Sequence, residues 1–406
     1  MIVKPKLLVL YHFYFPDDVV SARHYEDLCE DLARLNWDVE IWPANRFCRN
    51  PSKKLKLKDS WHDVSIKRVW RPGFSQSGEW RRILNSVWMI LAWSVGWFFY
   101  RGDRPHAILV GTDPVFSLWV APFIRLISPQ VKIAHWCFDL YPEAAVSDQK
   151  IKQNGFLHRF LFGAMGWAYK SCNLIADLGP CMKEKFRHYS SSAQRVTVTP
   201  WAFYEPSEVK PASSDERQKL FNDAKLGILY SGNFGLAHTA DLSLKLAQEL
   251  QVSQIKFCFS IRGHRAEALK RKCLDSSIPV NFVDFASEQS LDARLEAADI
   301  HLVSLKEGWT GTVVPSKFFG AIAAGRPVLF EGSRESSIAK WIMEFGLGWV
   351  LTEESYAKVA GELVQISQNP NELERLKQHC LATYQGRFSR YKVITAWNEL
   401  LTRLID

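Results

Sequence analysis

The sequence predicts an α/β protein built from two successive doubly wound parallel sheets. Three observations lead there. Short apolar runs alternate with helical patterns from end to end, as parallel α/β layers require. The alternation stops at a polar stretch rich in Pro, Ser and charge, residues 205–224, and then begins afresh. The chain also has 406 residues, more than one hydrophobic core usually organises.

In chain order, apolar runs at 7–11, 39–42, 66–70, 107–111, 131–137, 174–177 and 196–199 predict strands, the last closing just before Pro200. An amphipathic pattern over 22–35 predicts a helix, and the basic stretch 53–58 a solvated loop. After the 205–224 linker, strands are expected at 226–230, 256–261, 280–285, 300–305 and 327–330. Helices follow over about 354–383, and a last helical pattern covers 391–404. The expected organisation is therefore a domain over 1–204, the linker 205–224, a second domain over 225–385 and a terminal helix within 386–406. Doubly wound sheets bind ligands beyond the carboxyl ends of their strands, so the loops there hold the candidate residues.

Composition narrows the function classes. A chain that is 47% hydrophobic and 23% charged is not extensively disordered. Its net charge of +8 suits nucleic acid, anionic lipid or an anionic small substrate. Nucleic acid drops out, because the sequence has no RNA-binding signature, basic repeat or zinc-finger spacing. Eight scattered cysteines without a CxxC pair predict buried thiols in a reducing compartment, and no signal-peptide pattern precedes the first strand. The expected location is the cytoplasm. Residues 83–100 carry no charge and are flanked by Arg81, Arg82 and Arg101. Eighteen helical residues span about 27 Å, the lower limit for a bilayer, and Asn85, Ser86, Ser94 and Gly96 dilute the run. The expectation is a buried or membrane-leaning helix with Trp88, Trp93 and Trp97 as interface anchors.

Five segments carry chemistry. Tyr230-Ser231-Gly232-Asn233-Phe234-Gly235 follows a strand and precedes a helix. Its glycines let backbone amides approach a phosphate at a helix N-terminus, or serve a tight turn. In Val314-Pro315-Ser316-Lys317, Ser316 begins a helix and Lys317 sits in its first turn, where a cation opposes the dipole unless an anion docks there. Arg262, before Gly263-His264, is a fork donor for a diphosphate or for a structural carboxylate. Asp139-Leu140-Tyr141-Pro142-Glu143 follows a buried strand, with Asp139 the first and Glu143 the second candidate for polar recognition; His135 is expected to be a satisfied core histidine. Asp17, Asp18 and Arg23 lie after the first strand, where the aspartates recognise a ligand or cap the next helix.

Taken together, Phe15-Pro16 with Arg23, Asp139-Leu140-Tyr141-Pro142-Glu143, Thr199-Pro200-Trp201-Ala202, Ser231 to His238 and Val314-Pro315-Ser316-Lys317 resemble glycosyltransferase family 4. More narrowly the set is similar to bacterial enzymes of O-antigen, capsule and colanic-acid assembly. The resemblance runs in order over residues 7–400. It implies a GT-B fold, two Rossmann-like domains facing a cleft, with a C-terminal helix crossing back to the first domain. It implies a nucleotide-diphosphate sugar as donor, a UDP-sugar by family habit, bound by the second domain and transferred with retention and without metal. Gly232, Asn233 and Gly235 would then lie at the diphosphate, Arg262 and Lys317 would be its cations, Asp139 would face the sugar or acceptor, and Arg23 would help close the cleft. Thr312 and Gly320 stand where many members carry two glutamates, and Asp17-Asp18-Val19-Val20 replaces a small-residue loop. The acceptor is expected to be a glycan or lipid-linked saccharide at the inner face of the plasma membrane, approached through an anionic membrane surface. Two other functions fit this architecture: a UDP-N-acetylhexosamine epimerase, and a non-catalytic nucleotide-sugar-binding protein.

Overall fold

The computed structural model describes residues 4–17, 19–76 and 78–406. The chain divides into two compact units, one formed by residues 1–199 with 394–406 and the other by 200–393.

The first unit holds an eight-stranded sheet of β1 (Lys6–Leu10), β2 (Asp38–Ile41), β3 (Lys58–Trp61), β4 (Val64–Lys67), β5 (Ala107–Gly111), β6 (Lys132–Trp136), β7 (Leu174–Asp177) and β8 (Gln194–Thr197), in the order β3-β4-β2-β1-β5-β6-β7-β8. All neighbours are parallel except the β3–β4 hairpin. Helices on both faces make the central strands continuous apolar runs rather than alternating ones: Leu7 to Leu10 and Ala107 to Val110 are fully buried. The strand order reverses between β1 and β5, so the loops after these two strands flank the ligand-binding switch point of such a sheet.

The second unit repeats the design with six parallel strands, β9 (Leu226–Asn233), β10 (Ile255–Arg262), β11 (Val280–Val283), β12 (Ile300–Leu305), β13 (Val328–Gly332) and β14 (Gly348–Leu351), in the order β11-β10-β9-β12-β13-β14. Here the reversal lies between β9 and β12. Ile228, Tyr230, Phe259, Leu302 and Leu329 form the centre of its core.

Several expectations change. β3 and β14 are additional edge strands, and β4 starts at Val64 rather than Ile66. Residues 205–224 are not a free linker. They contain the helix Ser214–Phe221, whose Leu220 and Phe221 are buried. Arg217 pairs with Asp299 at 2.8 Å, and Arg326 donates to the Lys210 carbonyl at 2.7 Å. The polar composition marks only the outward side of a segment whose backbone is pinned to its unit. Trp93 and Trp97 are buried, with the Trp93 indole donating to the Trp42 carbonyl at 2.9 Å, so neither is an interface anchor. They fall at helical spacing from Met89 on the inward face of the helix Glu79–Phe98. Among the described residues no helix is long and apolar enough to cross a membrane. All eight cysteines are free, and all but Cys48 are buried.

The terminal helix, Arg390–Ile405, runs from one unit into the other. In the first unit its Trp397 meets Trp136 edge to face at 5.3 Å, and Asn398 accepts from the Trp37 indole at 2.8 Å.

Candidate functional site

In the second unit the candidate residues gather at the carboxyl ends of β9 and β10. The strands are in register so that Asn233 lies opposite Arg262 and Gly232 opposite Ile261. Gly232 has φ 130°, and a Cβ there would stand 2.6 Å from Lys317 Cε. The positive φ is what favours glycine here; a side chain would also push aside the flexible end of Lys317, which packs across the α-carbon. Gly263, φ 120°, lets the next turn close against Asn233 and Phe234 in the same way. Arg262 is exposed and lies over the Phe285 ring at 4.0 Å, which leaves its guanidinium edge for a ligand. Gly235 is half-buried in the following turn.

Lys317 begins the seven-residue helix Lys317–Ala323 and places Nζ 5.2 Å from the Tyr230 ring centroid. Burial pushes its ammonium down to about 8, and among the described residues no carboxylate pairs with it. Its charge also helps burial depress His238, to about 4; the imidazole Nδ1 sits 2.9 Å from the Ser304 carbonyl. His238 stands at the end of the Ser231–His238 motif, but sequence reasoning gave it no role. Ser316 is exposed at the N-cap position and makes no side-chain cap bond.

The expected helix terminus at the glycine motif is corrected. The helix after β9 starts only at Asp241. Its leading amides are already satisfied by a protein carboxylate: Glu331 accepts from Leu242 N at 3.2 Å and Ser243 N at 3.0 Å, and also from the Ser243 hydroxyl. An anion at Gly232–Gly235 would meet turn amides, Lys317 and Arg262 instead of this helix dipole. Thr312 is buried, its hydroxyl donating to the Trp309 carbonyl at 2.8 Å.

In the first unit, Asp139 lies just past β6, and burial pushes its carboxyl up to about 6, with Asp113 adding repulsion and Arg82 opposing both. Asp113 follows β5 and pairs with His12, just past β1, at 3.2 Å. The same two residues share a backbone bond, His12 N to the Asp113 carbonyl, at 3.0 Å. Burial nevertheless lowers the His12 pKa. Arg71 is fully buried nearby and donates to the Phe47 carbonyl. His12, Arg71, Arg82 and Asp113 were missed; the rule that ligands gather beyond strand ends at the order reversal would have found His12 and Asp113.

The remaining first-unit candidates fare differently. His135 is a satisfied core histidine, Nδ1 2.8 Å from the Val110 carbonyl. Asp17 is buried and accepts from Cys48 N at 2.7 Å, so it anchors a neighbouring loop and does not cap the helix Val20–Arg34. Asp18 lies outside the described residues. Glu143 faces inward and accepts from the Tyr189 hydroxyl at 2.7 Å. Arg23 is exposed on the first turn of the helix Val20–Arg34. Among the described residues no group of three or more His, Cys, Asp and Glu side chains could hold a metal ion.

No family model matches the chain. It is similar to the probable glycosyltransferase WbjE of Pseudomonas aeruginosa, 27% identical over 261 residues, a match covering 61% of this chain and 63% of that relative. Among solved structures it is similar to sucrose-phosphate synthase from Thermosynechococcus elongatus, with a TM-score of 0.71 at 13% identity over 98% of this chain and 99% of that one. WaaG, a glycosyltransferase involved in lipopolysaccharide biosynthesis, gives a TM-score of 0.64 at 15% identity over 98% and 99%. HepE of Anabaena, solved with UDP and glucose, gives 0.64 at 11% over the same shares. Two α/β units with parallel sheets, matched across nearly the whole chain, make this a GT-B fold.

Proposed function

We propose that the chain is a glycosyltransferase of cell-surface polysaccharide assembly, resembling family 4, that takes a sugar from a UDP-sugar and passes it to a glycan or lipid-linked saccharide. The observation that carries this reading is Lys317: a half-buried ammonium with no carboxylate partner among the described residues, packed on Gly232 beside the strand end that bears Arg262. Burying a cation without a counter-charge is unfavourable unless a ligand supplies the anion. A diphosphate supplies it. The likeness to WbjE supports the transferase reading, and the UDP bound in the HepE structure supports the donor class.

In the proposed reaction the bond between the anomeric carbon and the diphosphate oxygen breaks, and the acceptor hydroxyl oxygen takes its place. The hydroxyl proton leaves with the departing diphosphate, giving UDP and a glycoside of retained configuration. Lys317 and Arg262 offset the charge that develops on the leaving group, which is the role positioned cations fill without a metal. Ser316 and the Gly232, Asn233 and Gly235 turn hold the diphosphate. Asp139 accepts a hydrogen bond from the acceptor hydroxyl and orients it. The protein works in the cytoplasm.

The test is calorimetric titration of UDP into the full chain and into Lys317→Ala. One charge-assisted bond is worth about 1.5–3 kcal/mol, so the variant should bind roughly 10- to 100-fold more weakly. Wild-type protein that binds no nucleotide diphosphate would refute the reading. Isomerisation of UDP-N-acetylglucosamine without acceptor would replace it with an epimerase.

A further inference from the structure

The helix Glu79–Phe98 is amphipathic in the inverse sense for a solvated surface. Its inward face carries Asn85 and Ser86 beside Met89, Trp93 and Trp97, and the Asn85 amide donates to the Phe74 carbonyl at 3.1 Å. Its outward face carries Trp80 (79% exposed), Leu84 (53%), Leu91 (58%), Val95 (56%) and Phe98 (60%). These positions recur at helical spacing and form one stripe along its length.

Two neighbouring helices extend the apolar surface. Val120–Ile127 packs beside the first and leaves Leu126 81% exposed. Phe156–Lys170 packs beside that one, burying Leu161, Met165, Ala168 and Tyr169 and turning Phe156 (88%), Phe160 (60%) and Trp167 (63%) outward. An ion pair between Lys150 and Glu79, 3.0 Å, ties the segment ahead of the third helix to the start of the first. Aromatic side chains present about 150–250 Å² each, so the exposed apolar surface is on the order of 1,000 Å². The largest patch on a typical monomer is roughly 300–600 Å².

Charge decides what covers it. Arg81, Arg82, Arg101, Arg104, Lys152, Arg159 and Lys170 are exposed around these helices. The acidic residues within 79–104 and 150–170 are only Glu79, held by Lys150, and Asp103. An apolar face with tryptophan and phenylalanine at its ends and arginine and lysine at its border complements an anionic interface, and it lies in that interface rather than crossing it. Arg82, in the first turn of the same helix but on the side away from the apolar stripe, acts on Asp139 and Tyr141, so the start of this helix, though not the stripe itself, lies near the candidate acceptor residues.

We propose that these three helices dock the first unit on an anionic lipid bilayer, and that the acceptor reaches Asp139 from that surface. The acceptor clause rests on the transferase reading; the docking does not. The test is flotation of the full chain with phosphatidylcholine vesicles, with and without 30% phosphatidylglycerol. The protein should float with the anionic vesicles, less so in high salt, and remain behind with neutral ones. The triple variant Trp80→Glu, Leu91→Glu, Phe98→Glu should lose flotation at least tenfold while keeping its melting temperature and its UDP affinity. If that variant misfolds, Leu126→Glu with Phe156→Glu on the other helices asks the same question. No flotation of wild type at low salt, or unchanged flotation of folded variants, overturns the proposal. So does a concentration-dependent dimer by light scattering that Leu91→Glu abolishes. Wild type that floats but binds no UDP leaves the docking standing and removes the transferase.

Discussion

Burial moves the pKa values of Lys317 and Asp139 toward neutrality from opposite sides, disfavouring the charged form of each. For Lys317, burial brings the ammonium down to about 8. A bound diphosphate favours the charged form, so binding takes up a proton once the pH passes that value. UDP affinity should therefore be flat below pH 8 and fall up to tenfold per unit above it. Calorimetry at pH 7, 8 and 9 in buffers of different ionisation enthalpy reads both the affinity and the proton uptake. Lys317→Arg, which stays charged, should lose the pH dependence. Asp139 has the opposite sign of charge and a carboxyl raised to about 6. The unfolded chain releases this proton near 3.8 and the folded one near 6, so stability declines as pH rises between those values and levels off above them. Above pH 7 the folded protein carries an unfavourable carboxylate that Asp139→Asn removes. That variant should be more stable at pH 7.5 by about 1–3 kcal/mol, with no gain at pH 4, and should lose transferase activity. Denaturation at the two pH values, beside a turnover assay, checks the sign.

At the scale of elements, the helix Asp241–Glu249 is fastened by a residue from another strand. Glu331, at the end of β13, satisfies two amides of its first turn. Glu331→Ala orphans both, at about 1–3 kcal/mol in urea denaturation. UDP affinity should move less than in Lys317→Ala, because the carboxylate and not a phosphate occupies that helix end. Such fastenings are where sequence reading gives out. Strands buried on both faces, such as Leu226–Asn233 and Ile300–Leu305, announce themselves as apolar runs. The Lys58–Trp61 strand does not, because it is an edge strand with only Trp61 partly covered. The 205–224 segment misled for a related reason: Arg326 and Asp299 hold it from afar, through the Lys210 carbonyl and Arg217, and a local pattern cannot register a bond to a residue about a hundred positions away. The uncharged run 83–100 was legible, but which side of the helix Glu79–Phe98 faces inward was not, since the inward Asn85 and Trp93 are satisfied by the distant Phe74 and Trp42 carbonyls.

For the whole molecule, the candidate residues of the second unit were more legible than those of the first, and topology explains the difference. Gly232, Arg262 and Lys317 each sit in a local signature, a glycine turn or a proline-led helix start. His12 and Asp113 carry no signature and meet only because the first sheet sets β1 beside β5, and Arg71, past β4, carries none either. The same sheet depends on the far end of the chain. Residues 394–406 belong to the first unit although 200–393 form the second. Trp397 and Leu401 are fully buried there, against Trp136 and its surroundings. Deleting 394–406 uncovers that ground and leaves the Trp37 indole without Asn398. Losing one buried tryptophan costs about 3–5 kcal/mol, a large part of the 5–15 kcal/mol that stabilises a domain. The expected outcome is asymmetric. A chain of residues 200–393 should fold alone, melt cooperatively and bind UDP. A chain of residues 1–199 should not give a cooperative transition until 390–406 is restored through a flexible linker, and Trp397→Ala in that restored chain should lower its stability by about 3–5 kcal/mol. Calorimetry of the three chains checks this, and cooperative melting of 1–199 by itself would show that the terminal helix is not needed to complete the first unit.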